Sequence, residues 1–526
     1  MTFWPRMATG CRNGRACHSA RQAKTMWPRR ICVVGGGTAG WLAAMMLGDS
    51  ARRGGHPCEV TVIESSKIGT IGVGEGTTAV FRQMLQHFGL DEMEFLAETG
   101  ATIKFGIRHR DWRRLGHSYD GPIDDPHRVT GFEVNALDLY QVSRGESVGQ
   151  VHLFQHLLSR NKSPFAVVDG RHIAVGPFHH AYHFDQALAG KWLRSKAKAI
   201  ATIDDQVLRV ERLAESGDIT ALHLEGGARV EADLFVDCTG FRRALIGPMG
   251  GTWVSYRDML PVNRAIPFWL DIPKGEEIDP CTLAWAQGSG WMWKIPTQSR
   301  YGCGYVFSDA HITPDQAKDE IERVLGRPIH VRNDIRIDAG RLDRQWIGNC
   351  VALGLSSSFL EPLEATSIHG TVVQLMLLAS VLPNPDDRAR LAFNAASARQ
   401  VDDFRDFIRL HYVSERRDTP FWRDVAGNLP PHLADRLAAW GGRVPGAADF
   451  APFPMGLPHT DHHLHVPVLD GLGLLDPAKA KDWLAAHPKL RAQARAEAAK
   501  LTGEYKRAAG RAMGHRAFLD GLGVTA

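Results

Sequence analysis

The sequence predicts an α/β fold that opens on a parallel sheet, carries a strand-rich middle and ends in helices. Three observations predict it. An apolar run of strand length, Ile31-Cys32-Val33-Val34, leads into the glycine-rich turn Gly35-Gly36-Gly37-Thr38-Ala39-Gly40. Short strand-like segments recur from about residue 205 to 340, and beyond Leu360 the hydrophobic period lengthens to that of helices.

The first strand is followed by Trp41-Leu42-Ala43-Ala44-Met45-Met46-Leu47, apolar on every side and so a buried helix. Glu59-Val60-Thr61-Val62-Ile63 is the next strand and ends at Glu64, completing a βαβ unit with a right-handed crossover. Residues 77–104 are expected to be mainly helical, before a short alternating stretch from Lys104 to His109. Strands are expected at 207–210, 220–224, 234–238, 266–270 and 302–307. An apolar helix follows over 364–382 and a more charged one over 386–412. Residues 424–475, rich in Pro and Gly, read as mostly loop, and 478–511 as one amphipathic helix docked on the surface.

Composition sets the class. A hydrophobic content of 44% and a charged content of 23% are those of a globular protein, and 526 residues suffice for two or three domains. A net charge of +4 is too slight to imply a nucleic-acid partner. No run of about 20 apolar residues is present to span a membrane. The eight cysteines form no C-x-x-C pair, which argues against a zinc ribbon or a disulfide scaffold and for a reducing, cytoplasmic setting. Residues 1–26 are basic, without an acidic residue or the apolar core of a secretory signal, and read as a disordered tail. Residues 27–385 are expected to form a nucleotide-binding module with an interleaved substrate region, and 386–526 a mostly helical C-terminal region.

Gly35, Gly37 and Gly40 fit G-x-G-x-x-G in its full context: strand before, helix after, and an acid closing the next strand. In this Rossmann-type arrangement Gly35 makes the tight turn and Gly37 lets a pyrophosphate approach the backbone at Thr38 and Ala39. Gly40 lets the helix pack on the sheet, while Glu64 accepts from a ribose. The turn alone does not separate FAD from NAD. Leu234-Phe235-Val236-Asp237-Cys238-Thr239-Gly240 favours FAD, because flavoproteins of the glutathione-reductase type return to their FAD domain through such a strand and small turn. No second fingerprint of comparable quality follows a strand, so a separate flavin reductase is expected to supply FADH2.

Trp291-Met292-Trp293-Lys294-Ile295-Pro296 places two indoles on one side of a strand, making a stiff apolar wall. With Gly35–Gly40, this W-x-W-x-I-P segment resembles the flavin-dependent tryptophan halogenase family. So do Gly72-Val73-Gly74-Glu75-Gly76-Thr77-Thr78 and Phe359-Leu360-Glu361-Pro362-Leu363-Glu364-Ala365-Thr366. The likeness runs from about Arg30 to Trp422.

The resemblance implies a two-compartment oxidoreductase of monooxygenase type. Reduced FAD and O2 oxidise chloride or bromide to hypohalous acid, which travels past the Trp291 and Trp293 barrier to a lysine beside an indole or other electron-rich aromatic. Lys104, in Ala101-Thr102-Ile103-Lys104-Phe105, matches that lysine; taken alone it reads as a strand-edge residue with its ammonium in water. Glu364 matches the family's glutamate, which stabilises the cationic arene and removes its proton. Thr366 and Ser367, at the start of a helix, are the expected halide site, although Ser367 stands where the family commonly has glycine.

Gly74 and Leu355 are assigned to the flavin site. Leu355 stands where FAD-dependent aromatic monooxygenases, the alternative reading, usually carry Asp after the glycine; that and the tryptophan wall count against a hydroxylase. His117-Ser118-Tyr119 corresponds to the family's pair flanking the indole. His459, His462, His463 and His465, like His179, His180 and His183, read as solvated loop residues, and no metal site is expected. The partners expected are the reductase and a small indole-like substrate, with no nucleic acid or membrane; a homodimer is left open.

One fingerprint makes a prediction. The purified protein binds a single FAD loosely and has negligible NADH oxidase activity by itself. Robust NADH consumption without added flavin reductase, followed at its absorbance, would refute this.

Overall fold

The computed structural model of the chain describes residues 27–69, 74–123, 134–176, 179–441 and 443–522. The tail expected over 1–26, together with Gly72 and Val73, lies outside these residues.

Arg30–Val34 is buried from Ile31 onward and pairs in parallel on both sides, with Glu59–Glu64 and with Leu234–Asp237. A strand covered on both faces needs a continuous apolar run, which this one has. The six-stranded sheet is completed by Ala201–Asp204 on one edge and by Cys350–Ala352 and Trp346–Ile347 on the other. The apolar helix Thr38–Arg53 packs between this sheet and the helices Gln186–Lys196 and Thr366–Val381. This is the FAD-binding Rossmann-type fold read from the sequence, with the strands expected in the middle of the chain all present.

A second sheet of seven strands carries the tryptophans. Gly290–Pro296 lies near its middle, hydrogen-bonded to Arg300–Phe307 on one side and Cys281–Ala286 on the other. Cys281–Ala286 in turn pairs in parallel with Gly106–Arg110. The alternation of the strand holds: Trp291 and Trp293 join one hydrophobic core while Met292 joins another. A small three-stranded sheet sets Glu75–Gly76 and Thr102–Lys104 on either side of Ala181–Phe184.

The C-terminal region is more helical than expected. Residues 424–475 are not mostly loop: they contribute to Pro420–Gly427 and contain Pro431–Trp440 and His462–Leu472. Pro420 and Pro431 sit in the first turn, where the missing N–H has no partner to lose, so they start helices rather than break them. The single helix expected over 478–511 is two, Pro477–Ala486 and Pro488–Arg511, because Pro488 disfavours a helical conformation at His487. Ala494, Ala498, Leu501, Ala508 and Ala509 form the buried face by which the second docks. Among the described residues no helix is long and apolar enough to cross a membrane.

Trp293 faces Gly304 across the ladder, and a Cβ on Gly304 would overlap the indole ring. Gly304→Ala is therefore expected to displace Trp293 and to destabilise the protein by about 1–3 kcal/mol. Thermal unfolding and near-UV circular dichroism check this; an unchanged melting temperature and spectrum would show that the ring is not held from below.

Candidate active site

Two cavities lie on either side of the segment from Leu360 to Ser367. The first, about 350 Å³, is lined by Gly354, Ser357, Phe359, Leu360, Thr366 and Ser367 among others. The second, about 280 Å³, is lined by Lys104, Trp291, Trp293, Pro362, Leu363 and Glu364 among others. One short stretch of chain thus contributes to both.

The glycine turn stands beside the first cavity. Gly35 has φ 120°, and a side chain there would run into the Cys238 carbonyl oxygen. A Cβ on Gly40 would overlap the Gly35 carbonyl, so helix and strand touch. Nothing lies within 4 Å of the position a Gly37 Cβ would take, which leaves open space before the helix. That helix starts without a side-chain cap, and the buried Thr38 Oγ1 has no partner. Free N–H groups, an orphaned hydroxyl and open space fit a pyrophosphate.

Glu64 closes its strand and pairs with Arg194 at 2.5 Å. Asp237 accepts from the Leu245 and Ile246 N–H groups and from Ser356 Oγ, at 2.8, 2.9 and 3.0 Å. The last bond ties the turn holding Leu355 to the sheet, and Gly354 approaches so closely that its Cβ would lie 2.9 Å from that of Ala39. The structure therefore gathers Gly35, Gly37, Thr38, Ala39, Gly40, Glu64 and Leu355 at the carboxyl ends of the inner parallel strands, where they fit FAD. Gly74 stands against Gly302 and Ile295 at the end of the tryptophan strand.

The second cavity holds two buried charges. Lys104 is 1% exposed, and burial lowers its pKa to about 8 despite the charge of Glu364 nearby. Gly76 leaves its ammonium room, since a Cβ there would come 2.9 Å from Nζ. Thr282 lines the same space and is oriented by a relay. Thr102 Oγ1 donates to the Pro296 carbonyl at 2.7 Å, so it accepts from His183 Nδ1, and His183 Nε2 accepts from Thr282 at 2.9 Å. His183 is fully buried in a strand covered on both faces and His180, just before that strand, is nearly so; neither is the solvated loop residue expected.

Glu364 and Ala365 both have positive φ, 66° and 54°. Two successive non-glycine residues in this region are strained. The turn presents Glu364 to the second cavity while Thr366 and Ser367, at the uncapped start of their helix, face the first. Glu364 Oε1 meets His411 Nε2 at 2.9 Å and His109 Nε2 at 3.3 Å. Burial raises its pKa, but the two histidines more than offset this and hold it well below the ordinary carboxylate range. Glu361, three residues earlier, accepts from Trp291 Nε1 and Tyr412 OH, both at 2.6 Å, and burial pushes it up to about 7.

Trp291 and Trp293 stand 6.3 Å apart, tilted by 62°. His109 stacks on Tyr119 at 4.5 Å, and His117 lies farther off, 6.4 Å from Tyr119. His109, His411 and Glu361 were missed from the sequence. His109 alone carried a signal, being two residues beyond the cavity-lining Ile107 on the same strand. The histidine group near 460 is not a solvated loop either: His462 and His465 are buried in the helix that Asp461 caps, held there by aromatic packing.

Comparison with known proteins agrees with this arrangement. A family described as tryptophan halogenase matches residues 30–466. Tryptophan 6-halogenase SttH of Streptomyces toxytricini is 33% identical over 88% of this chain and 95% of its own. Among solved structures, BrvH, a flavin-dependent halogenase from Brevundimonas sp. BAL3, superposes with a TM-score of 0.80. It is 32% identical over 94% of this chain and 99% of its own. A tryptophan halogenase from Shewanella frigidimarina gives 0.85 at 26% identity, over 95% and 98%. The chain belongs to the tryptophan halogenase family of flavin-dependent enzymes.

Proposed function

We propose that the protein halogenates indole or a similar electron-rich aromatic, using FADH2 from a separate flavin reductase, O2 and a halide. One observation carries the reading. A cavity beside the glycine turn and a second cavity with a buried lysine and an ionised glutamate share one segment as their common wall.

Gly35, Gly37, Thr38, Ala39 and Gly40 would hold the pyrophosphate of FAD and Glu64 its ribose, with Gly74 and Leu355 completing the site. Bound as FADH2, the cofactor supplies the oxidation of halide by O2 to hypohalous acid. The free N–H groups where Thr366 and Ser367 begin their helix would hold the halide. Trp291 and Trp293 keep the aromatic substrate in the second cavity.

There Lys104 holds hypohalous acid by a hydrogen bond. As the ring carbon takes the halogen, the O–X bond breaks and the ammonium proton passes to the departing oxygen, giving water. Glu364 accepts the ring proton, which later restores the lysine. A pKa near 8 leaves the ammonium in excess at neutral pH. Product formation is therefore expected to fall as pH rises through about 8. A rise there would favour a haloamine on the neutral amine instead.

Lys104→Ala is expected to leave flavin oxidation intact and abolish product. An unchanged yield, with no free hypohalite scavenged by an added thioether, would sink the assignment. Lys104→Met removes a buried cation whose folded pKa lies below its unfolded one. It is expected to stabilise the fold by about 3 kcal/mol at pH 7. The gain shrinks as pH rises from about 8 toward 10.5, where the unfolded lysine also loses its proton. Thermal melts across that range check the sign.

Among the described residues lining the second cavity, Lys104 and Glu364 are the charged ones, leaving no separate cation to clamp an amino-acid carboxylate. Arg113 and Arg416 nearby already pair with Glu415 and Asp418. A missing clamp forfeits on the order of 1.5–3 kcal/mol, or roughly tenfold or more in binding. Indole or a neutral derivative is expected to be halogenated better than tryptophan, at its most electron-rich carbon, with bromide favoured over chloride. Side-by-side kcat/KM values decide this; a clear preference for tryptophan would overturn it.

A further inference from the structure

His411 ends the long helix Asp387–His411 and is fully buried. Its Nδ1 lies 2.9 Å from the carbonyl oxygen of Phe407, and a carbonyl only accepts, so Nδ1 carries a proton. Its Nε2 lies 2.9 Å from Glu364 Oε1. A neutral imidazole protonated at Nδ1 would oppose a lone pair to the carboxylate at that distance. The contact requires a second proton between them.

Where that proton resides is set by the surroundings. The helix C-terminus favours a cation at His411. His109 Nε2 stands 3.3 Å from the same Oε1, adding a second ring nitrogen there. The contrast with Glu361 is direct. It too is buried, in the same segment, but its two donors are the neutral Trp291 N–H and Tyr412 OH.

We infer that His411 is a positioning residue held as an imidazolium, which keeps Glu364 ionised inside the second cavity, where Lys104 is the other charged group. The inference rests on the proposed role of Glu364 as acceptor of the ring proton, and gives that role its physical basis. An arene carrying both hydrogen and halogen on one carbon is a very strong acid, so the base need not be strong. It has to be ionised, and burial alone would protonate it. The pair uses basicity the reaction does not need to secure a charge that it does.

The other titratable groups facing the pair are His109 and Lys104 from neighbouring strands and Tyr119 beyond them. Glu361 and His465 face His411 from its other sides. Burial keeps His109 and His465 below the ordinary histidine range and Tyr119 above that of tyrosine. None of these three therefore changes charge near pH 7.

The test begins on the cofactor-free protein. In infrared difference spectra at pH 7, wild type minus Glu364→Gln is expected to show loss of a carboxylate band. Loss of a protonated-carboxyl band instead would overturn the inference, whether or not any His411 variant folds. His411→Gln is expected to gain a protonated-carboxyl band that the double variant with Glu364→Gln lacks; no gained band would also overturn it.

With FADH2, bromide and indole, the His411→Gln variant should keep its rate of flavin oxidation. It should lose product on the order of tenfold between pH 8 and pH 6, if Glu364 then titrates as Glu361 does, near pH 7. A pH profile like that of wild type would count against His411. Glu364→Gln separates the two readings. Should that variant keep full product formation, Glu364 is not the acceptor, and the infrared result still decides the state of the pair.

Discussion

The turn at Glu364 and Ala365 is the constraint on which the site depends. Consecutive left-handed residues with side chains cost of order 1–3 kcal/mol each, and the packing around them must over-determine the turn. Pro362 fixes the approach, Leu360 and Leu363 are buried in the core beneath the tryptophans, and His411 anchors the Glu364 carboxylate. Relaxed into an ordinary helical start, the same residues would rotate Glu364 away from its histidines and merge the two faces of the wall. Strain here is what lets adjacent residues serve different cavities.

The electrostatics follow from that geometry. Lys104 and Glu364 share an apolar space, yet burial moves one below its usual range while histidine contacts overcome burial for the other. In the proposed reaction this sets an acid poised near neutrality beside a base that stays ionised, a division of labour that pairs of titratable groups achieve through unlike environments. The relay from Pro296 through Thr102 and His183 to Thr282 adds a fixed acceptor at the lysine, anchored in the tryptophan strand itself.

How much was legible follows the range of each signal. The glycine turn and Glu64 were readable because strand, turn and helix are consecutive. The shared facing of Trp291 and Trp293 follows from a period of two. Lys104 and Glu364 entered through the family resemblance, and the structure sets them in one cavity. His411 was not readable: it sits in a charged helix, and only tertiary packing carries that helix end to Glu364. The helices between 420 and 472 were hidden because proline in a first turn and proline in a loop look alike without the capping geometry. Pro467, inside His462–Leu472, adds to the disguise.

Under the proposed chemistry, strand parity also governs how long the enzyme survives its own oxidant. Hypohalous acid attacks thioethers and thiols. Met292 stands between the two tryptophans, and Cys281 beside Thr282, one residue from the oxidant's proposed path. Alternation turns both toward the opposite core, and among the described residues lining the second cavity there is no methionine or cysteine. Burial also raises the Cys281 pKa, keeping it a thiol and a poorer nucleophile than its thiolate. A one-residue slip in either strand would aim sulfur at the oxidant, so the register that builds the wall also limits self-inactivation over successive turnovers.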